Sequence, residues 1–320
     1  MLMDMLSILL GFILLFVGGQ ILVNSSVALA TSFKVSTLFI SAFIIGFGTS
    51  LPELTISVGA MVKQAPDISI GNIVGSNIAN ILMVMGAAAL ISPILIPLQS
   101  VNRDVVSMLI SSIILVIFMW LNLLNGWIGM AFLSMLIFYA CWSFMEEQKS
   151  KHHEKNETKE ENQQKTYKPA LAILLSIIGI IALVVGADML VDGAVSIALS
   201  FAISQTIIGL TIIAMGSSLP ELVTAIIASF KKQGDVVLGN VIGSSIFNIL
   251  GILGVTLLIQ PIMVSPHIVG LDIWVMLGAS VILAILILKK IAIGGIIGAT
   301  MLLAYIVYLI WLYKESVNMV

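Results

Sequence analysis

Glu53 and Glu221 each stand near the middle of an apolar run long enough to cross a membrane, and their surroundings are nearly the same. Gly46-Phe47-Gly48-Thr49-Ser50-Leu51-Pro52-Glu53-Leu54 matches Ala214-Met215-Gly216-Ser217-Ser218-Leu219-Pro220-Glu221-Leu222. A second pair follows, Gly71-Asn72-Ile73-Val74-Gly75-Ser76-Asn77-Ile78-Ala79-Asn80 and Gly239-Asn240-Val241-Ile242-Gly243-Ser244-Ser245-Ile246-Phe247-Asn248. Glu53 to Glu221 is a step of 168 residues, and so is Asn80 to Asn248. A carboxylate in hydrocarbon costs about 3 kcal/mol even on the lenient insertion scale, so it is kept where a partner or ligand compensates it. A gapless repeat of such groups points to ion transport.

The donors around the acids are all oxygens. Pro52 and Pro220 lack an N–H and clash with the carbonyl four residues back, at Gly48 and Gly216, which frees backbone oxygens inside the span. Thr49 and Ser50 precede Glu53 by four and three residues and share its helical face, as Ser217 and Ser218 do for Glu221. Asn72, Ser76 and Asn80 form one stripe at a spacing of four, and Asn240, Ser244 and Asn248 form another. Carboxylate, hydroxyl, amide and carbonyl oxygens suit hard cations such as Ca²⁺ and Na⁺. The histidines, His152, His153 and His267, lie in a linker or at a span end, so no imidazole site is expected. Two glutamates neutralise one Ca²⁺ and leave three Na⁺ with one charge in excess. Taken singly, each feature has a plainer reading: a proline kinks a helix, and a serine bonds its own i−4 carbonyl. Gly71, Gly75, Gly239 and Gly243 let helices approach closely. Repetition of the whole set at one offset favours the ion site.

The elements that must position these residues follow from composition. The 320 residues are 60% hydrophobic and 9% charged, which excludes a soluble domain and makes the chain an all-α integral membrane protein. Spans are expected near residues 5–32, 37–62, 69–96, 104–122, 126–145, 169–200, 205–230, 237–261, 268–288 and 292–313. Without a basic leader, the first run reads as a transmembrane helix. Residues 146–168 hold six Lys, six Glu and two His and read as a disordered cytoplasmic linker between a five-helix repeat over 1–145 and another over 169–320. Gly18 to Asn24 aligns with Gly186 to Asp192 at the same offset, and because five is odd the two repeats insert with opposite orientation. One set of connections carries 12 Lys and Arg, and the other only Lys63 and Lys314. The linker face is therefore expected to be cytoplasmic and both termini outside. Asp188 and Asp192 are candidates for an outer vestibule; Asp67, Asp235 and Asp272 are expected to be solvated. The Trp and Tyr residues at 305–313 suit an interface belt, and Cys141 a core or lipid-facing place.

The doubled G-[TS]-S-x-P-E and G-N-x-x-G-S-x-x-x-N motifs resemble the two α-repeats of the sodium/calcium exchanger family, within the cation/calcium antiporters. The resemblance covers the whole ten-span layout. It implies antiport of Na⁺ against Ca²⁺ by alternating access, with the first and sixth helices sliding across the other eight. On matching positions Glu53 and Glu221 become shared ligands of Ca²⁺ and Na⁺. Thr49, Ser50, Ser76, Ser217, Ser218 and Ser244 add side-chain oxygens, Gly46 and Ala214 add carbonyls, and Asn80 and Asn248 complete the set. Family members often carry Asp at one of the last two positions, whereas this chain has Asn at both, which removes a titratable group and argues against coupling to K⁺.

The leading expectation is a Na⁺/Ca²⁺ antiporter working as a monomer in the bilayer of a prokaryotic cell, with no nucleic-acid partner. No resident cofactor is expected, the ions being substrates. The alternative is H⁺/Ca²⁺ or other cation/Ca²⁺ antiport, since two neighbouring carboxylates can trade protons for Ca²⁺. A cation channel is a further reading, and a hydrolase lacks a mid-membrane base.

Overall fold

The structure is a computed structural model that describes residues 2–97, 101–153, 168–201, 214–264 and 268–318. The helices run as α1 (Leu2–Phe33), α2 (Thr37–Thr49), α3 (Leu51–Val62), α4 (Pro66–Ile91), α5 (Val101–Trp120) and α6 (Gly126–His153). The second half follows as α7 (Pro169–Ser200), α8 (Ala214–Gly216), α9 (Leu219–Phe230), α10 (Gly234–Ile259), α11 (Gly270–Leu288) and α12 (Gly295–Asn318). Eight of these are long and apolar enough to span a bilayer alone, and α2 with α3 makes a ninth, bent by 42°. α8 and α9 belong to the tenth span, whose first residues, 205–213, lie outside the described residues, as does 154–167 of the linker. The chain is a ten-span membrane protein built from two five-helix repeats.

The two-fold relation is written into contacts. Ser112 and Ser280 are 168 apart and their hydroxyls meet at 3.3 Å, so the axis relating the repeats passes between α5 and α11. The repeats also interlock. Gly86 of α4 packs on Gly298 of α12, and its counterpart Gly254 of α10 packs on Gly129 of α6, each against the last helix of the other half. Backbone bonds do likewise: Ile94 exchanges N–H···O bonds with Ile293, and Ile262 N donates to Leu124 O, all at 3.0 Å. Helix ends repeat as well, with Gln64 and Lys232 both at φ 58° and Asn122 and Lys290 at 53° and 55°.

α1 and α7 pack antiparallel along a seam of small residues. A Cβ on Gly18 would lie 2.9 Å from Gly179 O, and one on Gly11 2.7 Å from Gly186 O; seven residues up one helix is seven down the other. Ser176 Oγ donates to Ser25 Oγ at 2.8 Å within the seam. Without a hydrophobic drive between helices in lipid, such close backbone approach supplies the packing energy.

Several boundaries and surroundings differ from the sequence reading. α6 continues past Met145 to His153, and Glu147, buried, accepts from Ser36 N at 2.9 Å and Ser36 Oγ at 2.8 Å, capping the start of α2. α4 and α10 each begin earlier than expected, which puts Asp67 and Asp235 in a first helical turn, where a carboxylate favours the helix dipole. Asp67 is exposed and Asp235 half-buried. Asp272 is not solvated: it is 8% exposed and accepts the Tyr308 hydroxyl at 3.0 Å. Its repeat mate Asp104 is buried too, bonded to Tyr139 OH at 3.1 Å and to Arg103 Nε at 2.8 Å. The expected aromatic belt therefore narrows, because Tyr305 and Tyr308 are buried against neighbouring helices while Tyr313 remains exposed. Cys141 is exposed on α6, the lipid-facing alternative.

Candidate functional site

The break between α2 and α3 is a local consequence of sequence. Pro52 cannot donate to Gly48 O, and Ser50 leaves helical geometry at φ −83° and ψ 11° before the chain restarts with proline in the first turn. Ser218 does the same at φ −89° and ψ 7° ahead of Pro220. A wide, π-helical turn at Ser41–Gly46 precedes the first break. Two more stand opposite at Ala79–Val84 and Phe247–Ile252, again 168 apart, and each carries one of the predicted asparagines, Asn80 and Asn248. Such turns concentrate at functional sites because one residue per turn is re-aimed.

These interruptions converge. Glu53 and Glu221 are both fully buried, and each is held by the opposite repeat: Ser50 Oγ donates to Glu221 Oε1 at 3.1 Å, and Ser218 Oγ to Glu53 Oε1 at 3.5 Å. Asn72 Nδ2 donates to Glu53 O at 3.2 Å and Asn240 Nδ2 to Glu221 O at 3.1 Å, so the stripe asparagines brace the broken helices by their backbones. Thr49 Oγ1 bonds Ile45 O at 2.9 Å, the plainer i−4 reading, and also reaches Asn240 Oδ1 at 3.3 Å. Ser244 Oγ donates to Gly46 O at 3.0 Å, joining two of the expected oxygen donors directly. Ser76 and Ser217 are buried at 5% and 7% exposure. Ala214 begins α8 at the edge of the described residues.

The remaining polar atoms are the informative ones. Glu53 Oε2, Glu221 Oε2, and both amide atoms of Asn80 and of Asn248 are buried with no hydrogen-bond partner in the protein. Buried polar groups are nearly always satisfied, and the four oxygens among these six atoms, one on each of four repeat-related residues, call for a shared cation. Among the described residues no group of three or more His, Cys, Asp or Glu gathers, so the available shell is two carboxylates, amides and hydroxyls. Glycine makes the close crossing possible: a Cβ on Gly243 would sit 2.2 Å from Ala42 O, and one on Gly46 2.7 Å from Ser244 N. For Gly71 and Gly75 the repeat mates of the α2 residues at this crossing, 206–210, lie outside the described residues. Asp188 and Asp192 stay away from this centre, exposed on α7. What sequence reasoning missed is the brace role of Asn72 and Asn240, and Ser57, whose Oγ accepts from Asn72 at 2.9 Å. The shared stripe spacing pointed to Asn72 and Asn240 but not to their target, and Ser57 has alanine at the repeated position, so repetition gave no signal.

Residues 3–145 and 171–314 match the family model described as sodium/calcium exchanger protein. The chain belongs to the sodium/calcium exchanger family. It is 31% identical to the sodium/calcium exchanger MaX1 of Methanosarcina acetivorans over 97% of this chain and 98% of that one. It is 40% identical to an uncharacterized membrane protein of Methanocaldococcus jannaschii over 77% of this chain and 79% of that protein. A solved structure of the sodium-calcium exchanger NCX_Mj, soaked with 10 mM Na⁺ and zero Ca²⁺, superposes with a TM-score of 0.82 at 34% identity, covering 96% of this chain and 97% of that one. The protein is thus a multi-pass membrane antiporter of cations against Ca²⁺, and the converging half-helices are its candidate ion site.

Proposed function

We propose that this exchanger couples Na⁺ entry to Ca²⁺ movement through one site shared by the two repeats. The observation behind the reading is the pair of buried glutamates, each with one oxygen steadied by the other repeat's serine and one oxygen unpartnered. Glu53 and Glu221 supply the charge; Thr49, Ser50, Ser76, Ser217, Ser218, Ser244, Asn80 and Asn248 supply neutral oxygens, and Gly46 and Ala214 carbonyls. A dehydrated Ca²⁺ needs about six to eight such oxygens, and a −2 site neutralises it. With asparagine at both 80 and 248 the site keeps that charge, so three bound Na⁺ leave +1. Exchange is then electrogenic and independent of K⁺, and membrane potential biases it by about 2.3 kcal/mol per 100 mV for each charge moved. The lysine and arginine bias puts the linker face in the cytoplasm and both termini outside. The chain functions as a monomer in the bilayer of a prokaryotic cell.

Ca²⁺ uptake into proteoliposomes tests the coupling. An imposed Na⁺ gradient should drive uptake, faster when a potassium/valinomycin potential favours the charge moved. A pH gradient that drives uptake equally well without Na⁺ would replace this reading with H⁺/Ca²⁺ antiport.

A further inference from the structure

The repeats are alike in sequence but not in contact. On the linker face α1 closes onto α9: a Cβ on Gly19 would fall 2.5 Å from Ile227 Cδ1 and 3.4 Å from Val223 Cγ1. Just beyond, Lys231 Nζ donates to Asn24 Oδ1 at 2.6 Å. Subtracting or adding 168 gives the equivalent contacts of the other half: Ala187 against Gly59 and Thr55, and Lys63 against Asp192. None is made. Gly59 has nothing within 4 Å of a Cβ, Thr55, Lys63 and Asp192 are exposed, and neither Lys63 nor Asp192 forms a side-chain bond among the described residues. The glycines beside the two breaks show the same asymmetry. Gly48 meets Ile180, and Gly216 meets Val191, so α7 lies across both. The repeat mates of those two residues, Phe12 and Val23, belong to α1.

Two homologous halves in different conformations define a second state, in which each half takes the other's contacts. We propose that in this second state Lys63 and Asp192 form an ion pair on the face opposite the linker while Lys231 releases Asn24. Gly59 then packs against Ala187, and Phe12 and Val23 of α1 cover Gly216 and Gly48. The two latches are chemically unequal. Lys231 finds a neutral amide and Lys63 a carboxylate, so the pair at Lys63 adds a Coulomb attraction that its mate lacks. Exposed ion pairs are worth a fraction of a kcal/mol to about 1 kcal/mol, so Asp192 should favour the state closed opposite the linker by about two- to five-fold, less at high salt. The inference rests on the exchanger function proposed above together with the alternating access that the family resemblance implies, not on which ion drives the cycle.

The test is a pair of distances in the reconstituted exchanger. Spin labels at 63 and 192, and separately at 24 and 231, in a Cys141→Ser background, report each latch by pulsed electron resonance. Two populations are expected for each pair and in opposite proportion: where 24–231 is short, 63–192 is long, with the balance shifting between Na⁺, Ca²⁺ and ion-free conditions. Asp192→Asn, read by labels at 59 and 187, should reduce the short-distance population about two- to five-fold, and Asn24→Asp, read by the same labels, should also lower it by favouring the state closed on the linker face. Lys63→Asp with Asp192→Lys should restore the wild-type balance. A 63–192 distance that stays long in every ionic condition while 24–231 changes would overturn the exchange. So would an Asp192→Asn protein whose distribution matches wild type at low salt. These readouts need no coupled flux, so a failure of Na⁺ coupling leaves them interpretable.

Discussion

The half-site around Glu221 is sealed more tightly than the half-site around Glu53, although the sequence gives both nearly the same residues in the same order. Asn240 and Ser244 are fully buried, whereas Asn72 is half-buried and Ser76 retains 5% exposure. Ser50 holds Glu221 at 3.1 Å, and Ser218 holds Glu53 at the longer 3.5 Å. Thr49 reaches Asn240 across the crossing that Gly243 makes possible. Equal chemistry in unequal surroundings is what a transporter with one site and two accesses requires: the ligands stay constant while the walls exchange.

The charge itself is the first way to break the comparison. Glu53→Gln and Glu221→Gln each leave one carboxylate against a divalent ion, and removing one partner of a buried charge pair costs about 3–5 kcal/mol, or roughly 10²-fold to several thousand-fold. Both variants should insert and fold, because a neutral amide is easier to bury than a carboxylate, and both should lose Ca²⁺ flux in proteoliposomes. A correctly inserted variant with normal flux would remove that glutamate from the site, and a large difference between the two would make one half-site dominant.

A second test concerns the crossing of α2 and α10. Gly243→Ala places a methyl group 2.2 Å from a backbone oxygen that has no flexible end to move. Overpacking of this kind costs about 1–3 kcal/mol. The detergent-solubilised protein should melt several degrees lower, while Gly278→Ala, whose Cβ meets nothing within 4 Å, should leave melting unchanged. Equal melting of the two variants would mean that the tight crossing is not rigid.

The smallest expected effect separates the two serines. A hydroxyl bonded to a carboxylate contributes about 1.5–3 kcal/mol at good geometry. Ser50→Ala should therefore weaken Ca²⁺ binding about tenfold or more, and Ser218→Ala less, in a titration at fixed Na⁺. Equal losses would show that the half-sites become alike once an ion is bound.

Much of this was legible in the chain. The glutamates, the prolines that break their helices, and the stripes at 72–80 and 240–248 announce themselves because a repeat doubles every signal. The hydroxyls of Ser50 and Ser218 share their glutamates' faces by spacing alone, but that they serve the opposite glutamate is a property of the crossing, not of either segment. The π-helical turns that carry Asn80 and Asn248 arise from tertiary packing and leave no mark in local propensity. Asp272 looked like a solvated helix start because its partner, Tyr308, comes from a helix 36 residues away. The persistence of α6 to His153 was hidden by the linker's charge, since the bond from Ser36 to Glu147 spans 111 residues. Which half closes on α1 and which stays open cannot be read from two repeats whose site residues are nearly the same.

Direct Ca²⁺ binding to the purified protein tests the central claim, that the two repeats build one site between them. Calorimetric titration of wild type, Glu53→Gln and Glu221→Gln should give one Ca²⁺ per chain for the wild type, displaced by Na⁺ with a Hill coefficient above 1. Neither variant should show measurable binding over the same range. Two Ca²⁺ per chain, or a variant that retains wild-type affinity, would contradict a single site shared by Glu53 and Glu221.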